Sequence, residues 1–434
     1  MELVRKKIAF HTLGCKLNFA ETSTISRSFP DDQFEKVNPG SIADIHVINT
    51  CSVTDIADRK CRQAIKKCIK ESPDAVIAVI GCYAQLNPGE ISLIPGVDLV
   101  LGTNEKFDAA AFLEKIEKKK DAEIHSNELA APDAFHPSYS IGDRTRSFLK
   151  VQDGCDYKCS YCTIPVARGR SRNQDISSLI LEAEKIAAKG IKEIVLTGVN
   201  IGDYGKSTGD SFASLLRELI KVEGIERYRI SSIEPNLITD EIISLAAEYK
   251  KILPHFHIPL QSGSDKVLRL MRRRYRRDHF GDRISLIRKN IPMAGIGADV
   301  IVGFPGESDN DFEDTLSFLK EMPVSYLHVF NFSERPGTEA EKMSGKVPFN
   351  TRENRSRRLI SLSENKHLEF SEQNINRTAE VLFEHNRSEG MITGFTGNYL
   401  RAEYPWQTSL AGTIKTVRLK GISERGRMTV ELIT

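Results

Sequence analysis

All eight cysteines of this chain lie in its first 162 residues, at positions 15, 51, 61, 68, 82, 155, 159 and 162. Three are packed as Gly154-Cys155-Asp156-Tyr157-Lys158-Cys159-Ser160-Tyr161-Cys162. A Cys-x-x-x-Cys-x-x-Cys run folds three thiolates around one point. A closed structural zinc site takes four protein ligands, and no fourth cysteine or nearby downstream histidine follows this trio. An iron–sulfur cluster accepts three thiolates when an exogenous ligand takes the remaining iron. The trio is therefore read as a cluster site with one open iron, with a zinc knuckle or a chance grouping as the plainer alternatives.

A second set is spread further apart. The runs Lys7 to Leu13, Ile45 to Asn49 and Ala75 to Ile80 read as strands, and each ends just before a cysteine: Cys15, Cys51 and Cys82. Helical patterns (Phe19 to Phe29, Asp55 to Lys70) separate them, and Val97 to Leu101 supplies a further strand. Strand and helix in alternation imply a parallel, doubly wound sheet. The carboxyl ends of such strands form the ligand crevice, so the three thiols converge at one edge as a second three-thiolate site. Cys61 and Cys68, seven residues apart in a helical pattern, share one helix face and read as core thiols.

The pattern breaks between Lys119 and Asp143, where lysines, Pro132, Pro137 and Gly142 mark a linker. Strand-like runs then recur at Ser147 to Val151, Glu193 to Leu196, Tyr228 to Ser231, His255 to Ile258, Ala298 to Val302 and Leu327 to Phe330, with helices between. Six strand–helix units are too few for a closed eight-unit barrel and imply an open, partial one. Active residues in this architecture sit on loops after strands, where the Cys155–Cys162 trio lies. Thr197-Gly198-Val199-Asn200 and Gly303-Phe304-Pro305-Gly306-Glu307 are further loops of this kind, either ligand loops or plain turns. Gly205-Lys206-Ser207 imitates the end of a phosphate-binding loop, but Asn200 stands where its first glycine belongs, so that reading fails.

Arg269, Arg272, Arg273, Arg274, Arg276 and Arg277 crowd around Tyr275 as a solvated helix face or a phosphate contact. His255 and His257 share one strand face, either as a metal pair or as satisfied interior side chains. After the helical segment Thr351 to Glu369 come glycine-punctuated short strands, Val381 to Phe383, Tyr399 to Ala402, Thr413 to Arg418 and Met428 to Ile433, which suggest a small antiparallel barrel. Barrels of that kind often bind single-stranded or looped nucleic acid.

The whole chain has 434 residues, 40% apolar and 28% charged, which fits two or three globular domains and excludes wholesale disorder. Sixty-one Lys and Arg against fifty-nine Asp and Glu leave a formal charge of +2, so no global positive field advertises nucleic acid. No run of about eighteen apolar residues exists to span a membrane. The N-terminus lacks an apolar signal core, and the expected location is the cytoplasm.

The run VQDGCDYKCSYCTIPVARGRSR resembles the cluster motif of radical S-adenosylmethionine (SAM) enzymes in the form used by methylthiotransferases. TLGCKLNFAET, NTCSVT and GCYAQL resemble the three cysteine motifs of that family's N-terminal domain. TGVNIGDYG, SSIEPN, HIPLQSGSDKVLRLMRRRY and DVIVGFPGE are similar to its barrel loops, and the C-terminal segment to the small RNA-binding barrel called TRAM. The resemblance covers nearly the whole chain. It implies an N-terminal methylthiotransferase domain over 1–125, a linker over 126–145, a partial (β/α)6 radical SAM barrel over 146–370 and a TRAM-like domain over 371–434. Within the family, TLGCKLNFAET and GCYAQL look most like the branch acting on N6-threonylcarbamoyladenosine in tRNA. The branches acting on isopentenyladenosine, or on an aspartate of a ribosomal protein, are the alternatives. A zinc-stabilised RNA-binding protein without catalysis is the remote one.

The resemblance also implies roles. Cys155, Cys159 and Cys162 hold a 4Fe-4S cluster whose open iron takes SAM, the source of a 5′-deoxyadenosyl radical. Cys15, Cys51 and Cys82 hold a second 4Fe-4S cluster carrying the sulfur that a further SAM methylates. The target is carbon 2 of the modified adenine at position 37 of the tRNA anticodon loop. The backbone of Tyr161 is expected to lie along the SAM adenine. Thr197, Gly198 and Asn200 occupy the amino-group position, where the usual Gly-Gly-Glu wording is missing, and Glu234 is the candidate charged contact instead. Gln261, Ser262 and Arg273 are expected near SAM or the substrate base. Arg272, Arg274, Arg276 and Arg277 are candidate tRNA phosphate contacts. An external one-electron donor such as a flavodoxin is the expected redox partner, and the chain is expected to be a monomer.

Overall fold

Side chains along the central strands of the first sheet point alternately to two faces, and both faces are buried. The computed structural model describes residues 5–118, 121–127, 134–142 and 144–433. The chain falls into two compact units. The first comprises Met1–Asp143, Phe148–Gln174 and Ser333–Thr338, and the second Arg144–Ser147, Asp175–Phe332 and Glu339–Thr434.

In the first unit, β1 (Lys6–Thr12), β2 (Phe34–Val37), β3 (Ile45–Thr50), β4 (Val76–Gly81), β5 (Leu99–Leu101) and β6 (Glu123–His125) form one sheet in the order β2-β1-β3-β4-β5-β6. Every pairing is parallel. The interior strands IHVINT and VIAVIG are buried throughout, as strands covered on both faces must be. Side chains point alternately to the two faces. Ile8, Val47, Ala78 and Ile80 join one core cluster, while Ile48, Ile77 and Val79 join another. The covering helices include Lys16–Arg27 and Asp55–Glu71, the latter capped by Thr54, whose Oγ1 accepts from the Ala57 amide at 3.2 Å. The order reverses at β1, so the switch-point crevice of the sheet opens between the carboxyl ends of β1 and β3.

The doubly wound sheet was expected, but β2 and β6 were not. Both are short and lack an apolar run. β6 falls where the sequence pattern breaks, at the end of the expected N-terminal domain over 1–125. The stretch from Ser138 to Ile141 is also tied down. Tyr139 and Ile141 amides donate to Thr24 Oγ1 and Ser23 Oγ, and the Ser140 amide donates to the Phe148 carbonyl. Lys119, Pro132 and Asp143 lie outside the described residues. Beyond this strap come β7 (Ser147–Lys150), β8 (Gln152–Asp153) and β9 (Arg172–Asn173), the last two paired antiparallel on either side of the Cys155–Cys162 loop.

Residues 333–338 join the first unit through a buried ion pair and through Ser333 Oγ, which accepts from the Asp55 amide at 3.0 Å. Arg335 donates from Nη1 to Asp58 Oδ2 at 2.7 Å and from Nη2 to Ser52 Oγ at 2.6 Å, all buried.

The second unit contains the other expected strands: β10 (Glu193–Thr197), β11 (Arg227–Ile230), β12 (His255–Gln261), β13 (Gly295–Val302) and β14 (Tyr326–Asn331). They run parallel, β10 beside β11 and β12 beside β13 beside β14, with single bridges from Tyr228 to Ile252 and Ser232 to His257. With β7 the expected six strands are all present. A 25-residue helix, Phe349–Gln373, leads into β15 (Thr378–Ser388), β16 (Met391–Thr396), β17 (Arg401–Pro405), β18 (Ile414–Ile422) and β19 (Met428–Leu432). These five close into a barrel around Phe383, Leu400, Val417 and Leu419, consistent with a TRAM-like domain. One correction applies: closure is made by a parallel pairing of β17 with β19, so the barrel is not wholly antiparallel.

Removing one member of a buried ion pair leaves a buried charge uncompensated, which costs about 3–5 kcal/mol. Arg335→Ala is expected to destabilise the first unit by that amount in urea unfolding. An unchanged midpoint would show that the Asp58–Arg335 pair does not hold this segment.

Candidate metal centres and their surroundings

Cys15 follows β1, Cys51 follows β3 and Cys82 follows β4, three adjacent parallel strands. The fold therefore brings their carboxyl ends side by side. Cys15 is exposed at the start of the helix Lys16–Arg27, whereas Cys51 and Cys82 are buried. Burial pushes the Cys51 thiol up to about 12, and the neighbouring Cys15 and Cys82 push in the same direction. Cys82 is raised as well, again by burial, against the opposing pull of Arg168 and Lys106. The thiols thus feel one another's charge. Gly14 makes the approach possible: at φ +100° it has no side chain, and a Cβ there would stand 2.4 Å from Cys51 Cβ.

Cys155, Cys159 and Cys162 are half-buried on the loop between β8 and β9. Cys155 Sγ accepts from the Tyr157 amide and Cys162 Sγ from the Ile164 amide, each at 3.4 Å. Amide-to-sulfur hydrogen bonds of this kind stabilise thiolates and tune clusters. Gly154, at φ +69°, lets the loop start against the Arg170 carbonyl, where a Cβ would lie at 2.0 Å. Both trios suit a three-thiolate cluster by donor chemistry.

A buried network of charge lies between the residues that carry these two trios. Glu21, on the helix after Cys15, accepts from Lys106 at 2.6 Å, Lys150 at 3.2 Å and Arg168 at 3.0 and 3.1 Å. Asp153, two residues before Cys155, accepts from Arg168 at 3.0 Å, Arg172 at 3.3 Å and Lys150 at 3.4 Å. Arg168 also donates to Asn18 Oδ1 at 2.8 Å, and Asn18 donates in turn to the Leu13 and Thr50 carbonyls before Cys15 and Cys51. Burial opposes ionisation of Glu21, but Arg168, Lys106 and Lys150 hold its carboxyl well below the usual range. Asp153 is held down in the same way by Arg168, Lys150 and Arg172. Four cations face two carboxylates here, and the surplus is positive beside Cys82. A cluster site of anionic thiolates complements that surplus.

Asp153 and Arg168 stand within the cysteine motif, which does not by itself mark a role for their charges. The available signal was a charged residue inside an apolar strand, Lys150 in Ser-Phe-Leu-Lys-Val. Cys61 and Cys68 pack as core thiols. Cys61 Sγ lies 3.3 Å from the Cys51 carbonyl, and Cys68 Sγ lies 3.6 Å from His11 Nε2. His11 and His46 share a hydrogen bond at 3.0 Å, and burial with His46 pushes His11 down to about 4.

In the second unit, Thr197 and Asn200 are buried, Gly198 is half-buried, and Asn200 Nδ2 donates to Asp203 Oδ2 at 3.1 Å. Glu234 is ion-paired with Arg273. Burial pushes Glu234 up, Arg273 opposes, and Asp203 and Asp299 act in the direction of burial. Gln261 adopts φ +68°, and its buried Oε1 has no hydrogen-bond partner. A left-handed non-glycine residue with an orphaned buried acceptor commonly marks a ligand contact, so Gln261 fits a SAM or substrate contact. Ser262 does not offer an open surface. It is fully buried, its hydroxyl beside Thr315 Oγ1 at 3.3 Å and accepting from the Ser264 amide at 3.2 Å, so it positions the turn that presents Gln261. Tyr161 is half-buried on the first unit's cysteine loop.

Of the arginines, Arg272, Arg274 and Arg276 are exposed. Arg272 pairs with Glu339 at 2.8 Å. Arg277 is half-buried, its Nη1 donating to the Gly263 carbonyl at 3.4 Å. His255 and His257 do not act as a pair. His255 Nε2 bonds Tyr326 Oη at 2.9 Å, whereas His257 Nε2 bonds Asp299 Oδ1 at 2.8 Å.

Comparison with known proteins gives the class first. Residues 149–319 match the model described as Radical SAM superfamily, and residues 7–102 that described as Uncharacterized protein family UPF0004. The radical SAM methyltransferase TsrM from Kitasatospora setae, solved with cobalamin and a [4Fe-4S] cluster, shares the fold at TM-score 0.55 and 12% identity, covering 90% of this chain and 81% of that one. Sequence relatives narrow the class. The threonylcarbamoyladenosine tRNA methylthiotransferase MtaB of Bacillus subtilis is 42% identical over 95% of this chain and 93% of its own length. The Aquifex aeolicus protein of the same name is 40% identical over 88% of this chain and 94% of its own. The tRNA-2-methylthio-N(6)-dimethylallyladenosine synthase of Thermobifida fusca is 35% identical over 86% and 76%. This chain belongs to the radical SAM methylthiotransferase family, which implies a 4Fe-4S cluster and SAM as cofactors. No described helix is long and apolar enough to cross a membrane.

The network predicts a pH dependence. A carboxyl depressed in the folded state contributes stability above its unfolded pKa, about 4.3 for Glu, and loses it as pH falls toward the depressed value. For Glu21 the loss therefore begins near that pH and continues downward. Glu21→Gln is expected to melt lower than the wild type at pH 6, with a shallower decline in Tm between pH 4.5 and 3. Parallel declines would show that Glu21 is not the group titrating.

Proposed function

We propose that this chain converts N6-threonylcarbamoyladenosine at position 37 of tRNA into its 2-methylthio derivative, with two clusters and two molecules of SAM. The observation that carries the reading is the near full-length likeness to relatives named for that substrate, 42% and 40% identical over 93% and 94% of their lengths. The dimethylallyladenosine synthase from Thermobifida fusca is 35% identical and matched over 76% of its length.

When bound, the clusters and SAM supply the radical that activates carbon 2 and the sulfur and methyl group that replace its hydrogen. The chain's own residues position these groups. Cys155, Cys159 and Cys162 would ligate the cluster that takes SAM, with the Tyr157 and Ile164 amides bonded to two of the sulfurs. Cys15, Cys51 and Cys82 would ligate the second cluster. Arg168 and Lys106 pull Cys82 toward the thiolate that ligation requires, against the larger opposing effect of burial.

In the second unit, Glu234 with Arg273, Gln261 and the Thr197–Gly198–Asn200 turn are the proposed contacts for SAM or the target base. The exposed guanidinium groups of Arg272, Arg274 and Arg276, with Arg277 as the least exposed member, are the proposed phosphate contacts. The closed C-terminal barrel is the proposed holder of the looped RNA. An external one-electron donor completes the cycle.

The experiment is anaerobic incubation of reconstituted protein with tRNA, SAM, sulfide and reductant, followed by nucleoside mass spectrometry. Threonylcarbamoyladenosine is expected to gain one methylthio group in place of hydrogen. Cys15→Ala is expected to abolish that gain while 5′-deoxyadenosine still forms. Sulfur transfer at full rate in Cys15→Ala would overturn the second cluster. A shift of isopentenyladenosine alone would overturn the substrate.

A further inference from the structure

Two imidazoles and a thiol of the first unit meet in a group that belongs to neither cysteine trio. β1 and β3 pair in parallel with Ala9 opposite His46 and His11 opposite Ile48, so His11 and His46 stand on one face of the sheet. The helix Asp55–Glu71 covers that face, and its Cys68 shares a core cluster with Ile48. His11 Nε2 lies 3.0 Å from His46 Nδ1 and 3.6 Å from Cys68 Sγ, and ligating atoms of all three residues fall within 4.8 Å of one another. His46 and Cys68 are buried, and His11 is half-buried.

These separations match a metal's coordination shell. Tetrahedral zinc, with bonds of about 2.0–2.1 Å to nitrogen and about 2.3 Å to sulfur, sets two nitrogens about 3.3 Å apart and a nitrogen and a sulfur about 3.5 Å apart. Protons serve the group less well. A ring nitrogen has one hydrogen or one lone pair in its plane, yet His11 Nε2 faces both the His46 nitrogen and the Cys68 sulfur. One central cation takes a lone pair from each of the three atoms. The other ring nitrogen of His46, Nε2, bonds Ser72 Oγ at 3.1 Å, which holds Nδ1 toward the group. Outer contacts of this kind orient metal-binding imidazoles.

Donor type and charge select the ion. Burial pushes His11 down to about 4, with the charge of His46 adding to it, and pushes His46 down as well, so both rings are in the neutral form that ligates. Burial, with Glu71, pushes the Cys68 thiol up to about 11, so an arriving cation displaces that proton to solvent. Glu71 follows Cys68 by one turn of the same helix, and its charge reaches His11, His46 and Cys68 alike. It pairs with Lys67 at 3.7 Å on the surface, a contact worth little. A dication held by one thiolate and one carboxylate is neutral. Magnesium and calcium take oxygen shells, whereas imidazole with thiolate suits zinc. One thiolate is too few for an iron–sulfur cluster.

We propose that His11, His46 and Cys68 bind one zinc ion, with Glu71 closing the fourth position. The ion fastens the helix Asp55–Glu71 to β1 and β3, the strands that lead to Cys15 and Cys51. The site is independent of the substrate reading above.

The test uses cluster-loaded protein, its two cysteine trios filled with iron, equilibrated anaerobically with zinc and then desalted. The wild type is expected to retain about one zinc per chain and to gain a few degrees in Tm. Its zinc X-ray absorption spectrum is expected to show one sulfur at about 2.3 Å and nitrogen or oxygen at about 2.0–2.1 Å. Ser72→Ala, which removes the hydroxyl that holds the His46 ring, is expected to weaken zinc binding about tenfold. Cys68→Ser is expected to lose the sulfur from the shell while its iron content stays near that of the wild type. Iron-replete wild type that retains no zinc would overturn the proposal. So would a shell of three sulfurs, which marks zinc seated in a cysteine trio, and this readout needs no variant to fold. A sulfur that persists in the shell of Cys68→Ser would overturn it as well.

Discussion

The interaction on which the first unit depends is the meeting of Glu21 and Asp153 with Lys106, Lys150, Arg168 and Arg172 in a fully or nearly fully buried space. Isolated charges in such a place are prohibitive, and even paired ones recover their desolvation only with good geometry. The recovery here is shared among several bonds. Each carboxylate receives three cations, and Arg168 reaches both carboxylates and Asn18. Its elements are the helix that follows Cys15, the turn after β5, the strand that precedes Cys155 and the helix that follows Cys162. Disturbing any one of them strands charge elsewhere, so the network fixes the spacing of the loops that carry both cysteine trios.

The network also explains why such an arrangement tolerates an excess of positive charge. Burial is the main upward push on Cys51 and Cys82, and the charge of the neighbouring cysteines adds to it. Arg168 and Lys106 act against that push at Cys82, in the direction of the deprotonated form that ligates. The parallel sheet contributes the other half of the arrangement. Strand order places the ends of β1, β3 and β4 together at a switch point, and the glycine before Cys15 lets its backbone close on Cys51.

The sequence made the cysteines and most strands legible because their signals are local. Gly14-Cys15, Thr50-Cys51 and Gly81-Cys82 each follow an apolar run, and the Cys155–Cys162 spacing stands within eight residues. Features assembled across distance were not legible. Glu21 and Arg168 are 147 residues apart, and nothing in either neighbourhood names the other. Arg335 reads as part of a loop after β14, yet it is fixed by Asp58, 277 residues earlier. His11, His46 and Cys68 each occupy an ordinary strand or helix position, and only the packing of that helix on the sheet makes them one group. The two short strands β2 and β6 were missed because edge strands need no apolar run, and polar β6 looked like linker. The motif around Ser262 does not reveal that its hydroxyl accepts from the Ser264 amide within the turn.

The most direct test of the network's role is the iron content of Arg168→Met after anaerobic reconstitution, measured with the two cysteine trios intact. The wild type should hold about eight irons per chain, four for each trio. If Arg168 positions both trios, the variant should fall well below that number, with losses from both sites by Mössbauer spectroscopy, even where the chain stays folded by circular dichroism. A folded variant that retains about eight irons would contradict the account, because the cysteine loops would then keep their places without the charge that is argued to hold them.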